Sequence, residues 1–320
     1  MKRSSGAGCW LRVVAAVSWA VTGAAGAFEP GLPEVPGAVA TAEPITPLPA
    51  ATTADPHRVS LGELLFYDTR LSHDNNRSCL TCHDVKDNGA THRSRDSTPE
   101  GAALSFNTTT VFNAALSFRF GWEGKYRTLE AKIAALVRDP QIMDCAPETI
   151  AAKLRGDKVL ASQFQAAYGR GPDAANILDA LATFVRTLIT PGSRFDRWLE
   201  GDATALSGQE LQGYTLFKSR GCVACHQGVN IGGNLFERQG IFHPLARAEP
   251  AVLRVPSLRN VATTAPYFHD GSAPTLQIAV RKMGLAQLNT TLTDEQVEAI
   301  VAYLRTLTGT FRGAPVGAKE

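Results

Sequence analysis

The 320-residue sequence carries 32 basic and 30 acidic residues, a net charge of +2. That balance excludes the basic footprint of a nucleic-acid binder and leaves no strong field to steer a charged partner. Without its N-terminal leader and lead-in, the chain keeps about 265 residues, enough for two ordinary domains.

Lys2, Arg3 and Arg12 form a basic head to residues 13–27, which are small and largely apolar and end Ala25-Gly26-Ala27. These are the parts of a secretory signal peptide, so residues 1–27 are expected to be removed on export to the periplasm, with the mature chain starting near Phe28. The apolar run is shorter than the roughly 20 residues that cross a bilayer. Cys9 lies ahead of that run and belongs to the discarded peptide. Residues 28–54 are rich in Pro and Ala and read as a loose lead-in.

Asp55-Pro56 then supplies a helix N-cap and a first-turn proline, predicting a helix with Val59 and Leu64. It runs through Gly62-Glu63-Leu64-Leu65-Phe66 toward Cys79-Leu80-Thr81-Cys82-His83, and the same pentapeptide pattern returns as Cys222-Val223-Ala224-Cys225-His226. Cys-x-x-Cys-His attaches a c-type haem: the thiols form thioethers to the porphyrin edge, and the histidine is held under the iron as its proximal ligand. Zinc half-sites or thiol redox pairs are the alternative, but a redox pair has no use for the trailing histidine. Two haems c on one chain point to redox chemistry, and their attachment outside the cytoplasm agrees with the leader.

An internal repeat orders the rest. Thr110-Val111-Phe112-Asn113, Trp122-Glu123-Gly124 and Thr128-Leu129-Glu130 return as Ser257-Leu258-Arg259-Asn260, His269-Asp270-Gly271 and Thr275-Leu276-Gln277, each offset by 147 (269 − 122). Gly62 to Phe66 matches Gly213-Tyr214-Thr215-Leu216-Phe217, and Phe184-Val185-Arg186-Thr187-Leu188 matches Tyr303-Leu304-Arg305-Thr306-Leu307. Each half thus holds a helix, a haem motif, a long loop, a Thr-Leu helix and a final helix. In the last helix, Thr293 and Gln296 form a capping box, and Val297, Ile300, Val301 and Leu304 line one apolar face. The fold class is mainly α: two cytochrome c-like domains in tandem, 55–192 and 193–310, each with one covalent c-type haem, then a short loose tail, 311–320. Cys145, outside both motifs, reads as a small buried apolar residue.

The halves differ where a distal ligand would stand. Met283 lies eight residues after Thr275, whereas the residue eight after Thr128 is Leu136, which cannot ligate iron. His226 and Met283 are therefore assigned to an electron-transferring haem, and His83 to a haem with no equivalent Met. A core methionine filling space is the other reading of Met283.

These residues resemble the bacterial di-haem cytochrome c peroxidase family, which includes the methylamine dehydrogenase maturation enzyme. The likeness rests on Leu61-Gly62 through Leu71, both haem motifs, Thr110 to Asn113, Phe195-Asp196-Arg197, Val255-Pro256-Ser257-Leu258-Arg259-Asn260, Ala265-Pro266-Tyr267-Phe268-His269-Asp270-Gly271 and Met283-Gly284. It implies that the C-terminal haem takes electrons from a small cytochrome c or cupredoxin and passes them to the N-terminal haem, which reduces hydrogen peroxide to water. It further implies Met283 as distal ligand, Trp122 as an aromatic bridge between haems, and a calcium ion on Asn107, Thr264 and Pro266, the latter two through main-chain carbonyls. A homodimer is compatible with it.

The N-terminal half departs from the family pattern. Where the family typically has Pro-Val-Glu-Met, with the glutamate acting on peroxide, this chain has Pro140-Gln141-Ile142-Met143, and Ile142 cannot relay a proton. Gln141, His92 and Glu148 are candidate replacements. Many members also carry a loop histidine that ligates the resting N-terminal iron, and His92, nine residues after His83, is the nearby candidate. The resting iron is thus five-coordinate, or bound by His92 or Met143. Three classes stay open: a periplasmic di-haem peroxidase, a maturation-type oxidase of a protein substrate, and a non-catalytic electron carrier or sensor. The methylamine dehydrogenase enzyme has Tyr in place of Met283, which counts against the second.

Overall fold

A computed structural model describes residues 43–50, 53–245 and 250–318; the leader at 1–27 lies outside them. Asp55 accepts hydrogen bonds from the amides of His57 and Arg58 and so starts α1 (Pro56–Tyr67), with Pro56 in the first turn. Thr128 caps α2 (Leu129–Arg138) by accepting from the Ala131 amide. The helices α3 (Pro147–Leu154), α4 (Lys158–Tyr168) and α5 (Ala174–Thr187) complete the first half. The second half holds α6 (Arg194–Leu199), α7 (Gly208–Ser219), α8 (Leu276–Leu288) and α9 (Asp294–Arg305). Thr275 caps α8, and the Thr293/Gln296 capping box starts α9. Strand content among the described residues is two short antiparallel pairs, β1 (Phe236–Arg238) with β2 (Val252–Arg254) and β3 (Thr310–Phe311) with β4 (Ala314–Pro315). No described helix is long and apolar enough to cross a membrane.

The repeat is built on two helix crossings. A Cβ on Gly62 would lie 2.0 Å from the Ala180 carbonyl oxygen, and one on Gly213 would lie 1.9 Å from that of Ala299. Only glycine lets α1 lie this close on α5, and α7 on α9. Phe184 and Tyr303, matched in sequence, sit against those glycines, where the same added Cβ would lie 2.8 and 2.9 Å from their Cβ atoms. Around each crossing lies a separate apolar core. Leu61, Leu65, Phe66, Phe164, Ile177 and Phe184 belong to the first; Phe195, Tyr214, Phe217, Val297, Ile300 and Tyr303 belong to the second. Met143 and Cys145 are buried in the first core.

Two features go beyond the repeat as read from sequence. The offset between halves falls from 147 to 119 (303 − 184) by the final helices, and α3 and α4 are the inserted part. The described parts of the two segments that composition marks as loose, 43–50 and 311–318, are seated, each on the other half. Ile45 is fully buried in the second core, the Gly228 amide donates to the Pro44 carbonyl, and the Leu48 amide donates to Asp196. Arg259 fixes this strap: it pairs with Asp196 at 2.6 Å in the interior and donates to the Thr46 carbonyl. The C-terminal tail returns to the first half, where Val316 joins the core, Phe311 packs on Phe112, and Arg312 pairs with Glu63. Two apolar side chains anchor each strap, Ile45 and Leu48 in one and Phe311 and Val316 in the other, a signal too sparse for composition to show.

Candidate functional site

Each haem motif folds as a 3₁₀ turn, Cys79–Thr81 and Cys222–Ala224, after which the histidine amide donates to the first cysteine's carbonyl at 2.9 Å in the first half and 3.0 Å in the second. The rings are held alike. His83 Nδ1 lies 3.1 Å from the Gly89 carbonyl, and His226 Nδ1 lies 3.3 Å from that of Ile231. A carbonyl only accepts, so Nδ1 carries the proton and Nε2 presents its lone pair, the arrangement an axial iron ligand needs. Burial holds both rings neutral, lowering the pKa of His83 and pulling that of His226 down to about 4. Burial also raises the thiols, Cys79 to about 12 and Cys82 and Cys222 to about 11, away from the thiolate that zinc or thiol exchange requires. No three His, Cys, Asp or Glu side chains gather into a metal cluster among the described residues. Paired thiols beside a neutral, directed imidazole thus fit covalent haem in both halves.

The loops that hold these rings are stapled in parallel. Thr110 Oγ1 donates to the Asn88 carbonyl as Ser257 Oγ donates to that of Asn230. The first half adds a buried carboxylate with no sequence forewarning. Asp96 accepts from the hydroxyls of Thr91 and Thr108. Thr91 follows Gly89 by two residues and Thr108 precedes Thr109, whose backbone lies near the His83 ring. Asp96 therefore ties together the two segments that grip His83.

At matching positions of the two Thr-capped helices, Met283 is half-buried in α8 and Leu136 half-buried in α2. Trp122 stands where the halves meet: its Nε1 donates to the Asn107 carbonyl at 2.9 Å, its carbonyl accepts from the Arg254 amide at 2.7 Å, and its ring neighbours Phe106 and His269. The Asn107 amide donates to the His269 carbonyl at 2.6 Å, bringing the Asn107 segment beside the one holding Thr264 and Pro266. Asn107 Nδ2 donates to the carbonyls of Arg93 and Ser94, so a cation there would take the amide oxygen.

The candidate replacements for the family glutamate are not brought together. His92 is exposed with Nε2 2.6 Å from Asp87, Gln141 is exposed, and Glu148 is exposed and paired with Arg138. Ile142 packs against the first core, and Met143 lies within it. A polar group that the sequence reading missed lies one turn before Leu136 on α2: Lys132, whose charge acts on the His83 ring. The 147-residue repeat marks Leu136, and helical periodicity then marks Lys132.

Comparison with known proteins agrees with this geometry. The family described as Di-haem cytochrome c peroxidase matches residues 56–204, and the Cytochrome c family matches residues 211–308. The chain is 37% identical over 294 residues to cytochrome c551 peroxidase of Nitrosomonas europaea, covering 85% of this chain and 86% of that protein. It is 38% identical over 287 residues to cytochrome c peroxidase Ccp of Escherichia coli, covering 84% of this chain and 62% of that longer protein. A solved MauG-like protein associated with microbial copper homeostasis shares the fold, with a TM-score of 0.72 over 88% of this chain and 96% of its own, at 24% identity.

Proposed function

This chain belongs to the di-haem cytochrome c peroxidase family, and on that footing we propose that it is a periplasmic peroxidase reducing hydrogen peroxide to water with electrons from a small cytochrome c or cupredoxin. The observation that carries the reading is a contrast inside one repeated fold. Two histidines are held alike by carbonyls, while at matching positions of the two Thr-capped helices one half carries Met283 and the other Leu136. Haems c bound at the two motifs supply one-electron chemistry and, at an iron with an open position, the reduction of peroxide.

Cys79 and Cys82 would hold one group and Cys222 and Cys225 the other, with His83 and His226 as ligands to the iron. Met283 would ligate the iron in the second half, where a thioether would favour the reduced state and suit an electron entry point. Leu136 leaves the first half open to a small substrate. Trp122 gives electrons an aromatic path between the halves, supported by its hydrogen bonds to both. Asn107, Thr264 and Pro266 would hold a calcium ion, a reading supported by the Asn107–His269 backbone bond and by the hard oxygen donors those residues offer. The domains are 55–192 and 193–310, clasped by the exchanged straps. The basic, apolar, small-residue leader at 1–27 supports export.

Steady-state oxidation of reduced cytochrome c by hydrogen peroxide tests the reading. Turnover that disappears when His83 is replaced supports it. A protein with both haems loaded and reducible that leaves peroxide untouched would belong with electron carriers or sensors, a role that the apolar Ile142 favours.

A further inference from the structure

Ile142 leaves the N-terminal haem without a carboxylate, and α2 carries an amine one turn from Leu136. Leu136 occupies in α2 the position that Met283 occupies in α8, eight residues past the capping threonine. Lys132 precedes Leu136 by one helical turn, so their side chains share a face. In α8 the same two positions are Ala279 and Met283, and Ala279 is buried. The first half alone places a charge there.

The Lys132 side chain is largely covered, and Nζ sits 5.3 Å from the centre of the Tyr126 ring. A Cβ built on Gly121, next to Trp122, would lie 3.7 Å from that nitrogen. No salt bridge engages Lys132 among the described residues; the ring face is its cationic partner. Burial lowers its pKa, Asp139 and Glu123 oppose that, and Lys125 adds to it. The ammonium also acts on His83, favouring the neutral imidazole.

We propose that Lys132 is the distal acid of the N-terminal haem, an ammonium poised over the Tyr126 ring that protonates the departing oxygen of peroxide in place of the family carboxylate. The inference rests on the reading of the His83 half as the peroxide site. Each hydrogen peroxide takes up two electrons, delivered from the donor protein, and two protons; the O–O bond breaks and both oxygens leave as water. One proton passes from Lys132 Nζ, which recovers it from solvent.

Azide is the probe, because an anion at the open ferric position meets the same ammonium. The half-reduced holoprotein, with the C-terminal haem ferrous and the N-terminal haem ferric, is titrated with azide at several pH values as wild type, Lys132→Met and Lys132→Gln. Peroxide turnover is measured alongside. Lys132→Met is expected to weaken azide binding about tenfold at neutral pH and to lower peroxide kcat/KM about 10²-fold, with Lys132→Gln between them. The wild-type advantage should fade as pH rises through the lowered pKa, because the folded lysine loses its proton there. An unchanged C-terminal haem potential shows that the fold persists. Equal azide affinity and pH profile in wild type and Lys132→Met, with both haems loaded, would overturn the proposal. A wild type that ignores peroxide yet shows Lys132-dependent azide binding would instead sink the peroxidase reading and keep Lys132 beside the iron.

Discussion

Trp122 and His269 hold the same position in the two halves, 147 residues apart, and their rings meet edge to face with centroids 6.3 Å apart. A duplicated position thus touches its own copy where the halves join, and Trp122 is anchored there by Asn107 and Arg254. If the indole carries electrons between haems, Trp122→Leu should slow inter-haem transfer after rapid reduction of the C-terminal haem. Both haem potentials should stay in place. Trp122→Phe, which keeps a ring but loses the Nε1 bond, should retain more of the rate at a stability cost of about 1 kcal/mol.

Asn113 and Asn260, also 147 apart, both adopt left-handed backbone conformations and both donate to one hydroxyl, that of Thr190, at 2.8 and 3.0 Å. All three are fully enclosed. Thr190→Val keeps the shape but strands two buried amides, so it should cost about 2–5 kcal/mol. Denaturant midpoints measure this, and a loss below 1 kcal/mol would mean that the asparagines find other acceptors.

Much of this architecture is legible in the chain because it is written in neighbouring residues. The pentapeptides spell out covalent attachment, the Thr caps start α2 and α8, and the matched glycines mark the α1/α5 and α7/α9 crossings. The exchanged straps are not legible, since one Ile45 or one Val316 in a polar or Pro-rich stretch carries no periodicity. Lys132 and Asp96 were missed for a related reason. Their positions follow from helix and loop, but what buries them, the Tyr126 ring for one and two threonines for the other, is tertiary.

The Arg259–Asp196 pair is the hub of the N-terminal strap. Breaking a buried pair strands a charge, so Arg259→Met should cost about 3–5 kcal/mol. It should also free residues 43–50, because the Thr46 carbonyl loses its donor. Limited proteolysis ahead of residue 55 should accelerate in this variant and not in Arg312→Met, which touches only the other strap.

Acid should loosen the C-terminal half first. His226 takes its proton at about 4 when folded and at 6.5 in a free chain, so between those values the unfolded state binds more protons. Stability then falls as pH drops from about 6.5 to about 4 and is not regained below. Iron ligation acts in the same direction, since it also requires the neutral ring. The Soret band of the Met283 haem should report the loss; a denaturant midpoint that does not fall as the pH drops below about 6.5 would contradict it.

The central claim is that one fold holds two unlike haems, and a potentiometric titration of the holoprotein followed by peroxide tests it most directly. Two separate reduction steps are expected, the higher one lowered in Met283→His or Met283→Ala, and the half-reduced protein should be reoxidised by hydrogen peroxide while retaining both covalent haems. A single shared potential untouched by Met283 replacement, with a half-reduced form inert to peroxide, would contradict it.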